Sequence, residues 1–569
     1  MTDDAARVVG APGEPPPVSP SGAAAGAAAP SDAVASGPAG RPTSRGRSLA
    51  MTGLIVSSAF LVSRMLGWVR VVVIGYAFHP SQLDAFYTAF RLPDLVFQLV
   101  AAGALSSALI PIVAGLVATH RAPRAWRVVS TVANLMLGAL LVLAVVLFLA
   151  APSVVRAITP GFDEAKMAQT VELTRIMLLS PVFLALGAIA TSVLNAENRF
   201  AAAAFAPIVY NLAIIGGAII LGPVMGIEGL AVAVVLGSLG HLLVQLRPLA
   251  RLGFRYDRRV DLADSEARTA LKLMGPRAVG LGATQITFVV VTSLASLLPG
   301  HAITAYNVAF TLLQIPMGVI GIPLGVVVFP SLSREVAVGR TAEYVALLTR
   351  ALRLVLYVMV PAAGLLAILR YPIVRVLFPA FDPALVAATA DALLFFLIGL
   401  AAHALIAVLA RAFYARQDTK TPVYAALLAV VLNTSLAVVL VRPLGLNGLA
   451  LAIALAAWAE ALVLLALLAR EVRLLGLGDL GRVALESALA TLVAGGVGLL
   501  ALSAIGAVVG PDPRMVGLVV EGVVAAVAFG LVYLGLSVVL RIPELASIVA
   551  VVTDLLRHRR RPLERRGVR

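Results

Sequence analysis

The chain has 569 residues, of which 60% are hydrophobic and 13% charged, and its mean hydropathy is +1.00. Those values exclude an ordinary soluble protein. The absence of cysteine excludes disulfides and thiolate chemistry, and the net charge of +15 reads as basic loops at a membrane surface. No alternation of aromatic and basic residues suggests a nucleic-acid partner.

Residues 1–46 are rich in Ala, Pro, Gly and Ser, lack a short apolar leader core, and are expected to form a disordered cytoplasmic tail. Fourteen apolar runs follow. In a first half they lie at about 51–78, 87–118, 127–151, 169–194, 203–222 and 226–247. A second six lie at 267–298, 303–333, 342–369, 384–413, 421–441 and 446–469, and two more at 483–508 and 515–540. A bilayer-crossing helix needs about 20 apolar residues. The predicted fold is therefore an all-α polytopic membrane protein with about 14 transmembrane helices. Arginines collect in alternate loops, as at Arg121, Arg124 and Arg127, at Arg247 to Arg259, and at Arg411 to Lys420. That bias, with an even number of spans, places both termini in the cytoplasm. Arg156 with Lys166, Arg370 with Arg375, and Arg442 stand out as exceptions in base-poor loops. The end of the chain, 542–569, reads as a basic tail suited to anionic headgroups.

The chain repeats itself. Gly226-Ile-Glu-Gly-Leu-Ala231 returns as Gly445-Leu-Asn-Gly-Leu-Ala450, a shift of 219 (445 − 226). Val155-Arg156 through Pro160, Phe162 and Asp163 returns at the same shift as Val374-Arg375 through Pro379, Phe381 and Asp382. Six spans per copy give both copies one orientation, so the expectation is two parallel six-helix lobes, 47–250 and 260–470, followed by two extra helices in 480–541. Transporters with such repeats bind substrate between the halves.

The first span holds Ser63-Arg64-Met65-Leu66-Gly67-Trp68-Val69-Arg70. An arginine costs about 2.5–3.5 kcal/mol at a helix centre, so Arg64 and Arg70 need a hydrated cavity or an anionic partner. Guanidinium forks match pyrophosphate oxygens. Six residues apart, the two point about 240° from each other; one is expected to meet ligand while the other braces the bundle. The competing structural reading pairs them with Asp84 or Asp94. Gly67 between them allows a bend or close approach. Asp84 is a gate or ion-pair candidate, or a residue favoured by a helix N-terminus. Arg91 either lines the cavity or snorkels, and Pro93 and Pro111 are candidate breaks in span two. Arg411, Arg416, Asp418 and Lys420 form a topology-fixing turn or a lock between halves, with Glu197 and Arg199 as first-half counterparts. Glu460 stands opposite His241 at the repeat shift and is a candidate proton carrier. No metal cluster, P-loop or nucleophile–base motif appears, so the expectation is a secondary transporter with no cofactor and no metal.

The segments around Arg64 and Arg70, Asp84-Ala-Phe-Tyr-Thr-Ala-Phe-Arg-Leu-Pro93, Ala102 to Pro111, Leu194 to Phe200, Phe329 to Ser333 and Arg411 to Pro422 resemble the MurJ/MviN family of lipid II flippases. That resemblance spans about residues 48–541. It implies a V-shaped bundle that moves undecaprenyl-pyrophosphate-linked disaccharide-pentapeptide outward for peptidoglycan synthesis, in the bacterial inner membrane and alongside cell-wall synthesis proteins. It implies substrate contact by Arg64, Arg70, Asp84 and Arg91, and a groove for the isoprenoid tail between the two extra helices. The chain departs from the family pattern at Val71, Phe97-Gln98, Ala102 and Thr311, which makes its cavity less basic. Alternatives are a flippase for another lipid-linked oligosaccharide, a cation-coupled drug exporter of the same superfamily, and a non-transporting membrane scaffold.

Overall fold

The computed structural model describes residues 44–100, 104–472, 476–509, 515–549 and 553. Residues 1–43 of the expected N-terminal tail, most of the basic C-terminal tail and Ala102 lie outside them, and 44–46 begin the first helix. Every regular element among the described residues is helical. The first half comprises α1 (Ser44–Ala77), α2 (Pro80–Val100), α3 (Ala104–Ala118), α4 (Ala122–Ile158), α5 (Glu164–Met177), α6 (Ser180–Ala196), α7 (Phe200–Ile220), the one-turn α8 (Gly222–Met225) and α9 (Ile227–Arg251). The second comprises α10 (Ser265–Ser296), α11 (Ala302–Pro316), α12 (Ile322–Ala337), α13 (Thr341–Leu377), α14 (Pro383–Ile398), α15 (Leu400–Ala415) and α16 (Lys420–Glu471). A π-helical turn, Met317–Gly321, joins α11 to α12. Two further helices follow, α17 (Leu477–Val509) and α18 (Met515–Val539).

The repeat is written in the backbone. Asp163 caps α5 by accepting from the Lys166 N–H, and Asp382 caps α14 by accepting from the Leu385 N–H. Each follows a helix that ends at the matching place, Ile158 and Leu377. Gly226 has φ 65° and ψ −147°, and Gly445 has φ 55° and ψ −131°. That region is open to glycine and strained for other residues, which explains why the glycine-bearing motif recurs there.

Ten helices are long and apolar enough to cross a bilayer among the described residues, or eleven if the bent pair α14–α15 counts as one. The count of fourteen is not confirmed among them. Spans eleven and twelve fall on the two sides of Gly445, where α16 is broken by non-helical backbone. Within span two, α2 and α3 flank residues 101–103, which lie outside the described residues, and span seven lies on the continuous helix α10. Pro93 and Pro111 lie inside α2 and α3 and end neither helix.

The largest buried cluster joins the halves, packing Ile74, Phe78 and Phe86 of the first against Tyr306, Phe378 and Phe396 of the second. A second core, around Trp126, Val132 and Val193 of the first half, also takes in Ala267, Ala270 and Met274 of α10. The last two helices pack on each other and on α13 through Tyr357, Phe529 and Tyr533. Their outer faces leave Leu492, Leu531 and Val538 exposed, as a lipid-facing surface does.

Candidate functional site

Two layers of polar contact join the halves, one at an end of the bundle and one deeper. The end layer is built on Asp84, 2% exposed near the start of α2. The Lys166 ammonium on α5 donates to its Oδ2 at 2.7 Å, and His301 Nδ1 lies 3.1 Å from the same oxygen. The Thr304 N–H and hydroxyl donate to Oδ1 at 2.8 and 2.7 Å. His301 precedes α11 in a left-handed conformation and supplies no side-chain cap. Asp84, from the other half, therefore satisfies a first-turn N–H of α11 that would otherwise be an orphan, where the helix dipole favours a carboxylate. Around it His79 and His301 meet edge to face at 6.0 Å, and the Gly161 N–H donates to Ser296 Oγ at 3.4 Å. A Cβ at Gly161 would overlap the Ser296 carbonyl, and one at Gly75 would overlap the Phe378 ring, so both glycines permit backbone-level closure. A cavity of about 150 Å³ remains at this seam, lined by Asp84, Asp163, Lys166, Ser296 and His301.

The deeper layer holds the arginines. Arg70 lies over the Tyr210 ring of α7 at 5.8 Å and stays within the first half. Arg64 reaches across: its guanidinium lies where a Cβ of Gly318, in the π-helical turn, would stand, and its Nε is buried without a partner. The divergence expected from six-residue spacing is thus seen. Arg91 donates to Asn307 Oδ1 at 2.6 Å and sits 5.0 Å from the centre of the Phe288 ring, both in the second half. Asp94, Tyr87 and Tyr306 lie within its electrostatic reach. None of the three arginines has a carboxylate within 4 Å among the described residues, so the pairing of Arg64 and Arg70 with Asp84 or Asp94 that the competing reading requires is not formed. Asp84 is taken by Lys166 instead. Lys166 had one signal in the sequence, its place in a base-poor loop; His301, Thr304 and Asn307 had none. Gly67 has open space beside it. Thr311 turns its hydroxyl onto the Asn307 carbonyl, Phe97 packs on the first-half core, and Val71 on the shared one.

At the opposite end the linker between halves is tied to α4. Asn134 donates to the Asp257 carbonyl at 2.8 Å, and the Asp257 and Asp261 N–H groups donate to Ser130 and Thr131. Arg124 pairs with Asp264, the N-cap of α10, at 2.8 Å. Hydrogen bonding from Arg124 outweighs desolvation and holds the Asp264 carboxyl below the usual range. Asp418 accepts from the Lys420 and Thr421 N–H groups at 2.9 and 3.0 Å. Burial pushes its pKa up, but those bonds prevail and lower it. Arg416 pairs with Glu471 at 2.9 Å. Arg411 donates to the Ala407 carbonyl at 2.6 Å and packs on Gly325 of α12. Arg199 is exposed at the start of α7. His241 packs on Gly187 within the first half, and Glu460 lies near Tyr414 within the second. No ion pair joins His241 to Glu460 among the described residues.

Two like helical halves, sealed at one end and holding unneutralised arginines at their seam, define a multi-pass membrane transporter. The chain belongs to the lipid II flippase MurJ family, whose profile matches residues 76–511. A probable lipid II flippase MurJ of Rhizobium tropici is 33% identical over 461 residues, covering 79% of this chain and 86% of the relative. The lipid II flippase MurJ of Burkholderia cenocepacia is 34% identical over 424 residues, covering 72% and 82%. Among solved structures, a lipid II flippase MurJ in an inward closed conformation superposes with a TM-score of 0.72 at 23% identity, over 86% of this chain and 98% of that one. An inward-facing multidrug resistance MATE family transporter of the MOP superfamily superposes at 0.61 and 16% identity, over 74% and 98%. At those identities the superpositions speak for the fold.

Proposed function

We propose that this protein carries lipid II, the undecaprenyl-pyrophosphate-linked disaccharide-pentapeptide, from the cytoplasmic to the outer leaflet of the bacterial inner membrane by alternating access. Family membership supports the cargo. The observation that carries the mechanism is a set of three arginines, Arg64 and Arg91 reaching the second half and Arg70 on Tyr210 of the first, with no carboxylate within 4 Å among the described residues. Arg64 and Arg70 take the pyrophosphate, and Arg91 lines the path. Asp84 closes the outer end with Lys166, His301 and Thr304. On this reading both termini are cytoplasmic, the two lobes are 47–250 and 260–470, and they rock about their seam. Gly67 gives α1 room to bend. Arg199, Arg411 and Asp418 set the topology of the inner end, and Glu460 with His241 are the candidates for proton coupling. The isoprenoid tail stays in lipid beside α17 and α18.

The test follows lipid II exposed on the outer leaflet after the native flippase is depleted and a variant supplied. Each charge-assisted hydrogen bond to phosphate is worth about 1.5–3 kcal/mol, so Arg64→Ala and Arg70→Ala should each slow outward appearance by roughly tenfold to a hundredfold. Restoration at the unmodified protein's rate by both variants would remove them from the site. The drug-exporter alternative predicts dye efflux with no change in outer-leaflet lipid II.

A further inference from the structure

A cavity of about 680 Å³ opens on the outer side of the first half, between the last turns of α4 and the length of α5. Its walls carry Arg156, Glu164, Glu172 and Arg175, and its floor includes Phe148 and Met167. Four opposite charges share one groove, yet no ion pair forms among them. Arg175 donates only to the Phe148 carbonyl, at 3.2 Å, and lies 4.9 Å from the Phe148 ring. The groove adjoins a lipid-facing strip of α4, where Val145 is 58% and Leu149 71% exposed.

The repeat supplies an internal control. At the 219-residue shift Glu172 stands opposite Asp391. In the second half Asp391 accepts from the Tyr371 hydroxyl at 2.7 Å and has Arg370 at 3.8 Å, while Arg375, the counterpart of Arg156, donates to the Phe381 carbonyl at 3.0 Å. The first-half counterparts of Arg370 and Tyr371 are Ala151 and Pro152. The groups that would satisfy Glu172 are missing from the chain, and Pro152 lines the cavity in their place. An unpaired acid–base set over an apolar floor, at the lipid-facing side of the bundle, fits a molecule with its own adjacent anion and cation.

We propose that the α4–α5 groove is a lateral site for the headgroup of a zwitterionic phospholipid, its phosphate against Arg156 and Arg175 and its ammonium against Glu164 and Glu172. Its acyl chains lie along Phe148 and Leu149. The site is separate from the arginines at the seam and does not depend on what they carry.

The full chain is reconstituted in nanodiscs made of equal amounts of phosphatidylethanolamine and phosphatidylglycerol and no other lipid. Lipids retained after transfer to detergent are then counted by native mass spectrometry. Phosphatidylethanolamine should be retained about tenfold over phosphatidylglycerol, the factor expected of one charge-assisted hydrogen bond. The exposed pair Glu164→Gln with Glu172→Gln should erase that preference, and Arg156→Gln with Arg175→Gln should lower retention of both lipids. Ala151→Arg with Pro152→Tyr, which copies the second half's closure, should empty the site in protein that still elutes as a single species. Equal retention of the two lipids by the unmodified chain, or a preference that survives the glutamate pair, overturns the proposal.

Discussion

Asp84 receives four donors from Lys166, His301 and Thr304, on α5 and the start of α11. Because these come from both halves, its charge converts a rigid-body contact into a latch. Removing one partner of a buried charge pair costs about 3–5 kcal/mol. Asp84→Asn keeps an acceptor for the Thr304 N–H and loses the attraction to Lys166, so the latched state should weaken by the lower end of that range. Ser296 is 7% exposed at the seam, and the chain has no native cysteine. A Ser296→Cys reporter should therefore react with an impermeant maleimide about a hundredfold faster in the Asp84→Asn background, as about 3 kcal/mol implies. Equal rates would deny Asp84 a gating role. The sequence shows Asp84, Arg64 and Arg70 as conspicuous because charges are rare in apolar helices. It hides the partners, since Lys166 and Thr304 lie 82 and 220 residues from Asp84 in the chain, and only the packing of α5 and α11 brings them together.

Among the elements, the repeated kink and the tied linker carry separate consequences. Gly445 has φ 55° and open space where a Cβ would go. Gly445→Ala therefore meets no steric wall and tests backbone strain alone, which is about 1–3 kcal/mol for such a conformation. A lower melting temperature with an unchanged elution profile is expected; an unchanged melting temperature would mean α16 straightens there without cost. The N-terminus of α10 has a pH signature instead. Asp264 sits below its unfolded pKa of about 3.9 because Arg124 bonds its charged form. A depressed carboxyl contributes stability that is complete above the unfolded value and is lost as pH falls through the folded one. Arg124→Gln should thus lower stability at pH 7 and approach the unmodified protein below about pH 4, as thermal melts across pH would show. The positive φ that the first glycine of the repeated motif adopts was not legible, but the motif itself was, because it occurs twice with one spacing. The number of membrane-crossing helices was less so. Apolar composition marks where the chain can enter lipid, but it does not tell where a run bends, as span ten does by 42° between α14 and α15.

For the whole molecule, the decisive property is that the halves touch at graded depths. At one end closure reaches the backbone, with Gly161 against the Ser296 carbonyl and Gly75 against Phe378. Deeper in, Arg64 and Arg91 reach the second half, one onto Gly318 of the π-helical turn and the other onto Asn307. This state is invisible in composition, because the same residues must also fit an arrangement with that end apart. Alternating access requires the Asp84 end to open and the contacts to part once per cycle. His79 and His301 meet across this end, so His79→Cys with His301→Cys places two thiols on opposite halves of a chain that otherwise has none. Joining them with a short thiol-specific cross-linker should hold the end shut and stop outward movement of lipid II. Either single substitution, treated alike, should keep the rate it has without the reagent, which separates locking from the loss of a histidine. Movement that continues at full rate in fully cross-linked protein would show that the headgroup leaves by a route that never parts Asp84 from Thr304.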